Sequence, residues 1–202
     1  MEDKILINND FTKYQNLFLE ENSKHNLISR NDEKFLYEKH IYDSLGIKLF
    51  FNKYGNNYKT LLDIGCGGGF PSVPIAIEFP NINVTALDSI RKKINCIENI
   101  KNGLGLQNLN TICDRAENIK NQKFDIITSR AVAELSKICE YALPLLNKNG
   151  YFVAYKSKKA LEEIENAKPV LKKLNSKVSD ILEYTLPLEE KFERCLVIIS
   201  KE

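Results

Sequence analysis

The sequence predicts an α/β protein with a seven-stranded, mostly parallel sheet, an N-terminal helical extension and an antiparallel hairpin at one edge. Three observations carry that expectation. An apolar run (Leu61, Leu62, Ile64) stops at three glycines spaced two apart, Gly65, Gly67 and Gly69. Twenty-three residues after Gly65, a second apolar run, Val84 to Leu87, ends in Asp88. From about Lys59 onward, strand-length apolar runs alternate with helix-length amphipathic ones, the pattern of a parallel sheet with right-handed crossovers.

Residues 1–58 read as the helical extension. Phe11, Tyr14, Leu17 and Phe18 repeat at helical spacing behind Asp10, placed as an N-cap. Asn31-Asp32-Glu33 gives a second start signal, a capping residue followed by acids where the helix dipole favours them. The helix it opens carries Phe35, Leu36, Tyr42 and Leu45. With 8 Lys or Arg against 9 Asp or Glu, this segment is not a basic arm.

Residues 59–202 read as the sheet domain, and the two parts as one compact unit. Leu61–Ile64 is the first strand, followed by a helix from about Pro71–Pro74 to Phe79, closed by Pro80. Val84–Leu87 is the second strand. The next helix, Arg91 to Leu104, presents Ile94, Ile97, Ile100 or Lys101, and Leu104 on one face and stops at Gly103–Gly105. Asn110–Cys113, Phe124–Thr128 and Tyr151–Tyr155 are strands three to five, the last opened by an Asn149–Gly150 turn. A helix from about Lys159 to Leu174 follows. Strands near Val178–Tyr184 and Cys195–Ser200, with no helix between them, suit the edge hairpin.

Composition excludes several classes. At 202 residues, 43% hydrophobic and 28% charged, the chain suits one ordinary globular domain. Its longest apolar runs fall far short of a membrane span, and MEDKILINND is no signal peptide, so a cytoplasmic protein is expected. Five scattered cysteines without a C-x-x-C pair read as reduced thiols and not as a metal site. A net charge of +2 means that any nucleic-acid binding comes from local clusters of Lys and Arg.

The glycine turn carries the chemistry. Glycine tolerates φ > 0 and has no Cβ to obstruct a ligand approaching the backbone. A carboxylate ending the next strand can accept hydrogen bonds from ribose hydroxyls, so the pair reads as a nucleoside site in a Rossmann-like fold. A hydride-transfer fold would want G-x-G-x-x-G, which fails because Phe70 holds the last slot. The chain has D-x-G-x-G-x-G, from Asp63 to Gly69, which points to S-adenosylmethionine. Asp63 either reaches the cofactor's amino group through water or fixes the glycine loop. Asp88 is read as a ribose ligand, against the alternative of an N-cap for the helix from Arg91.

LLDIGCGGGFP (61–71), CDRAE (113–117), SRAVA (129–133) and EKHIYDSL (38–45), with the closing ERCLVIISK, together resemble the glucose-inhibited division B family (RsmG). The resemblance covers most of the chain. It implies a class I S-adenosylmethionine-dependent methyltransferase acting on N7 of a guanine in 16S ribosomal RNA of the small subunit, with S-adenosylhomocysteine as product and no metal. It implies cofactor contacts at Gly65 and Phe70 (backbone and apolar wall), at Ala116 and Glu117 on the adenine side, at Asp88, and at Arg130; Gly67 and Gly69 complete the turn. His40 and Asp43 match a signature of the N-terminal helices. Two positions depart from the family pattern: Glu21 stands where a tryptophan is usual, and Ser157 follows Lys156 where a glycine is usual.

Other residues remain open between roles. Arg130, between a buried strand and a helix start, needs a partner, either a structural carboxylate or an RNA phosphate. His40 sits three residues before Asp43, so the two can share a helical face, as a structural tie to the sheet or near the substrate. Lys156 ends the fifth strand, where ligands gather in open α/β sheets, yet surface lysines are common. Arg91–Lys93 and Lys156–Lys159 are expected beside the cleft, in reach of phosphates, while Lys172-Lys173 reads as surface.

Guanine N7 carries no proton, so no general base is expected; Arg130 and Lys156 are the candidates to position the base and meet its O6. The partner is then 16S ribosomal RNA or the small subunit, met by a monomer. A small-molecule methyltransferase on the same scaffold, or a non-catalytic RNA-binding protein that senses S-adenosylmethionine, stays open.

Overall fold

The computed structural model describes residues 9–157 and 159–201. Lys158 of the Lys156–Lys159 cluster, and most of the segment in which no signal peptide is read, lie outside the described residues. Seven strands form one sheet: β1 (Thr60–Ile64), β2 (Asn83–Asp88), β3 (Leu109–Cys113), β4 (Phe124–Arg130), β5 (Leu146–Ser157), β6 (Ser176–Leu186) and β7 (Phe192–Lys201). Their order is β3-β2-β1-β4-β5-β7-β6. The first five pair in parallel, and β7 inserts antiparallel between β5 and β6, so the predicted hairpin is present. The chain runs outward from β1 through β3, then returns to start β4 on the other side of β1. Strand order therefore reverses between β1 and β4, where open sheets leave a crevice at their carboxyl ends.

Alternate residues along each strand enter opposite layers, as the two-residue repeat requires. Leu61, Ile126, Val153 and Ile198 join one buried cluster, and Leu62, Ile127, Phe152 and Val197 the other. With both faces covered, the central strands read as continuous apolar runs. The first layer holds α1 (Asn9–His25), α4 (Lys48–Tyr54), α5 (Ser72–Glu78) and α6 (Arg91–Leu104). The second holds α7 (Leu135–Ala142) and α8 (Ala160–Lys173). Phe11, Tyr14 and Phe18 of α1 are fully buried in the same cluster as β1 and α6. Burying each such side chain contributes roughly 1.5–3 kcal/mol, so the helical extension is packed as core.

Several expectations need correction. Asp10 lies inside the first turn of α1, not before it. The single helix expected to start at 31–33 is a succession of short pieces. Ser29 caps α2 (Arg30–Glu33) by accepting from the Asp32 N–H, a π-helical segment covers Tyr37–Tyr42, and α3 (Asp43–Leu45) precedes α4. The strand-by-strand reading gave no bounds to α7, although Leu135, Ile138, Cys139 and Ala142 repeat at helical spacing and are buried. Asn149–Gly150 does not open β5. The strand starts at Leu146, and its register against β4 jumps between Phe124↔Leu146 and Ile126↔Tyr151, which leaves 149–150 in a bulge. A Cβ on Gly150 would lie 2.8 Å from the Asp125 carbonyl, so glycine there permits a close backbone approach.

Candidate active site

Sheet order brings the sequence-predicted residues to one edge. At the carboxyl ends of adjacent strands stand Ala116 and Glu117 after β3, Asp88 ending β2, Gly65–Gly69 after β1, Arg130 ending β4 and Lys156 near the end of β5. Gly65, Gly67 and Gly69 all have positive φ, at +72°, +55° and +96°. The Leu87 carbonyl accepts from both the Gly65 and Cys66 N–H groups, which pins the turn to β2. A Cβ on Gly67 would meet nothing closer than the Gly65 carbonyl at 3.9 Å, so the turn opens onto free space there. Gly65 is roofed instead: a Cβ there would lie 2.4 Å from a methyl of Val132, in the loop after β4.

The two acids flanking this turn do different work. Asp63 is fully buried; its Oδ2 accepts from the Ser72 N–H (3.2 Å) and its Oδ1 from the Thr128 hydroxyl (3.0 Å). It ties the start of α5 and β4 to β1, the loop-fixing role among the two left open. Burial raises its pKa to about 6, against the hydrogen bonds from Thr128 and Ser72. Asp88 Oδ2 accepts from the Gly67 N–H (3.0 Å) and Oδ1 from the Ile90 N–H (2.9 Å). It holds the turn and the entry to α6, with Lys93 Nζ at 3.8 Å. Ala116 is buried and Glu117 exposed, with Arg115 at 3.9 Å.

Arg130 is the best-connected side chain of the edge, and its partner is a carboxylate. Nη1 donates to Asp43 Oδ2 (2.9 Å) and to the Lys39 carbonyl (3.2 Å), and Nη2 lies 3.0 Å from His40 Nδ1. The guanidinium stands 5.2 Å from the Phe70 ring centre. That ring is itself packed on Phe18 and His40, each at 5.0 Å. The Phe70 side chain therefore supports Arg130 from within the core, with 4% of the residue exposed. His40 and Asp43 meet through the guanidinium, His40 from the π-helical segment and Asp43 from the start of α3. Burial, then the Arg130 charge, lowers the His40 pKa to about 4, so the ring is neutral at pH 7. Tyr184 donates to Asp43 Oδ1 (2.7 Å), and Arg194 Nε lies 3.6 Å from it.

Beside this node is a cavity of about 650 Å³, lined among others by Arg130, Val132, Tyr155, Lys156, Glu163 and Arg194. Lys156 Nζ donates to Glu163 Oε2 (2.5 Å) and to the Ala133 carbonyl (3.0 Å). Its side chain is therefore anchored and 11% exposed. Arg91 and Lys92 are exposed at the start of α6, and Lys172 and Lys173 at the end of α8. Sequence reasoning missed Glu163, Phe192 and Arg194, which reach the cavity from α8 and β7. Arg194 lies within the closing ERCLVIISK, but only the packing of α8 and β7 beside β5 brings the three to Lys156.

Among the described residues, one trio has metal-ligand chemistry, Glu21, His25 and Cys96 between α1 and α6, with ligand atoms within 4.8 Å of one another. Glu21, at the usual tryptophan position, is buried and accepts from the Asn99 amide (3.2 Å).

The family described as rRNA small subunit methyltransferase G (GidB) matches residues 7–191. The chain is 40% identical over 197 residues to "Ribosomal RNA small subunit methyltransferase G" of Bacillus licheniformis, covering 95% of this chain and 81% of the relative. It is also 40% identical over 196 residues to the protein of that name from Staphylococcus aureus, with 95% and 81% covered. A solved S-adenosylmethionine-dependent methyltransferase from Clostridium acetobutylicum superposes with a TM-score of 0.63 at 16% identity, over 85% of this chain and 98% of that one, which shows the shared fold.

Proposed function

The chain belongs to the GidB family of rRNA small subunit methyltransferases G, and from that premise we propose that it transfers a methyl group from S-adenosylmethionine to N7 of a guanine in 16S ribosomal RNA. The observation that carries the cofactor half is the turn at the β1/β4 switch point. Its glycines hold positive φ, the space over Gly67 is open, and the Asp88 carboxylate lies against the same backbone. These features suit the donor nucleoside, with ribose at Asp88 and adenine toward Ala116 and Glu117.

When bound, S-adenosylmethionine supplies an electrophilic sulfonium methyl. The protein's own part is positional, since N7 offers a lone pair without a proton to remove. Arg130 is immobilised by Asp43, His40 and Phe70, and Lys156 by Glu163, so the β4 and β5 ends form a rigid wall beside the crevice. Holding reactants in line is worth roughly 7–11 kcal/mol of barrier in favourable cases. A lysine donor on guanine O6 would orient the base so that N7 faces the methyl carbon. The target base must be unstacked, so a single-stranded loop suits this site better than a duplex.

The proposal includes S-adenosylhomocysteine as product, no metal requirement, a cytoplasmic monomer, and residues 1–58 and 59–202 acting as one unit, which their shared core supports. Among the described residues no helix is long and apolar enough to cross a membrane. Labelled donor offered with ribosomal RNA, small subunits and metabolite extract tests the reading. Label is expected in RNA, and lost with Asp88→Ala; label confined to metabolites supports a small-molecule enzyme, and binding without transfer a sensor.

A further inference from the structure

We propose that the cavity beside Arg130 is the seat of the acceptor guanine, and that Glu163 reads its N1–H and N2 amino edge while Lys156 meets O6. The inference rests on the methyl-transfer reading only for the orientation of N7. Lys156 and Glu163 hold a donor and an acceptor side by side, with Nζ and Oε2 2.5 Å apart, on the wall of a cavity large enough for a purine. Guanine presents the complementary pair, an O6 acceptor next to an N1–H donor; adenine presents the reverse, a donor next to an acceptor. A carboxylate facing adenine N1 would set two acceptors against each other, so the site selects guanine by a mismatch as well as by a match.

The hydrogen-bond inventory leaves the right atoms available. Lys156 has three N–H donors, and two of them serve Glu163 and the Ala133 carbonyl. Glu163 Oε2 accepts from Lys156 and from the Leu135 N–H (2.8 Å). Among the described residues no hydrogen bond reaches Oε1, and the Glu163 side chain is 18% exposed. The Leu135 bond fixes the carboxylate to the start of α7, so it is preorganised before any base arrives.

The order of the elements fits the order of atoms around guanine. The glycine turn follows β1, Val132 follows β4, Lys156 lies on β5 and Glu163 on α8, which places the donor turn, the lysine and the carboxylate in succession. On the base, N7, O6 and N1 follow one another in the same way. At the outer rim Phe192 is 38% exposed, with Arg194 at 5.5 Å from its ring centre, an aromatic and a cation suited to flanking RNA.

The test uses the free protein and nucleotides. Guanosine, inosine, 1-methylguanosine and adenosine 5′-monophosphates are titrated without cofactor, followed by nuclear magnetic resonance line shapes, for wild type and Glu163→Gln. The wild type is expected to prefer the guanosine nucleotide over the adenosine one by roughly 10- to 100-fold, the range of one good base-edge pair. Inosine should fall between, and 1-methylguanosine should bind as poorly as adenosine. Glu163→Gln should lose the preference while keeping S-adenosylmethionine affinity within about twofold, because its amide oxygen still serves the Leu135 N–H. Equal wild-type affinities, no guanosine nucleotide binding, 1-methylguanosine binding as well as guanosine, or an unchanged preference in Glu163→Gln would each overturn the assignment. Should the variant fail to fold, the wild-type series alone decides. Methyl transfer to RNA, measured in parallel, separates the two claims. Transfer without guanosine preference sinks only the pocket; preference without transfer sinks only the proposed reaction.

Discussion

Replacing Asp43 with alanine should unfold the site before it touches the chemistry. The Asp43 side chain is 3% exposed and compensates Arg130, which is 16% exposed, at 2.9 Å. It also accepts from the Tyr184 hydroxyl and faces Arg194. Removing one member of a buried pair strands the other charge, at a cost of about 3–5 kcal/mol. A chain of this size loses roughly 2–4 °C of melting temperature per kcal/mol, so the expected fall is about 6–20 °C. Calorimetry on D43A measures it. Lys137→Ala serves as the reference, because its 2.9 Å pair with Glu140 lies on the surface, where solvent screens it. Asp43→Ala with Arg130→Met should recover most of the loss, since an apolar pair carries no stranded charge. A fall in D43A no larger than in K137A would show that Arg130 is solvated, and the rigid-wall argument would fail.

Other expectations follow from the same contacts. Gly65→Ala forces a Cβ to 2.4 Å from Val132 at φ +72°, so stability should drop by about 1–3 kcal/mol and donor binding weaken; Gly65→Ala with Val132→Ala relieves only the collision, and calorimetry plus donor titration would show partial recovery. Phe70→Ala removes the ring shared by Phe18, His40 and Arg130, with an expected loss of about 3–5 kcal/mol in urea unfolding. His40 has a folded pKa of about 4 against an ordinary 6.5, so the unfolded state binds more protons between them and stability should fall as pH drops through that window. Asp63, raised to about 6, has the opposite sign, losing stability as pH rises from about 3.8 to 6. His40→Gln should flatten the first slope and Asp63→Asn the second; a profile unchanged in either variant contradicts its assignment.

Legibility followed the range of the forces involved. α6 was readable to its bounds because Ile94, Ile97 and Ile100 repeat at helical spacing and Gly105 closes the helix in the left-handed region. The glycine turn and Asp88 were readable because local conformation demands those residue types. The stretch from 30 to 45 was not, since its π-helical segment, whose Lys39 carbonyl accepts from the distant Arg130, carries no local sequence mark. The Asn149–Gly150 bulge depends on register with β4, which no local pattern encodes. In the same way, the arginine's need for a partner was evident, but that Asp43 supplies it, 87 residues away, came only from the fold. Glu163 was hidden for the same reason.

Nucleoside mass spectrometry of 16S RNA after incubation with isotopically labelled S-adenosylmethionine bears on the central claim most directly. One labelled methyl per RNA, recovered as 7-methylguanosine and absent with Asp88→Ala, is the predicted result. A label on any other base or atom, or none under conditions where the protein binds the donor, would contradict it.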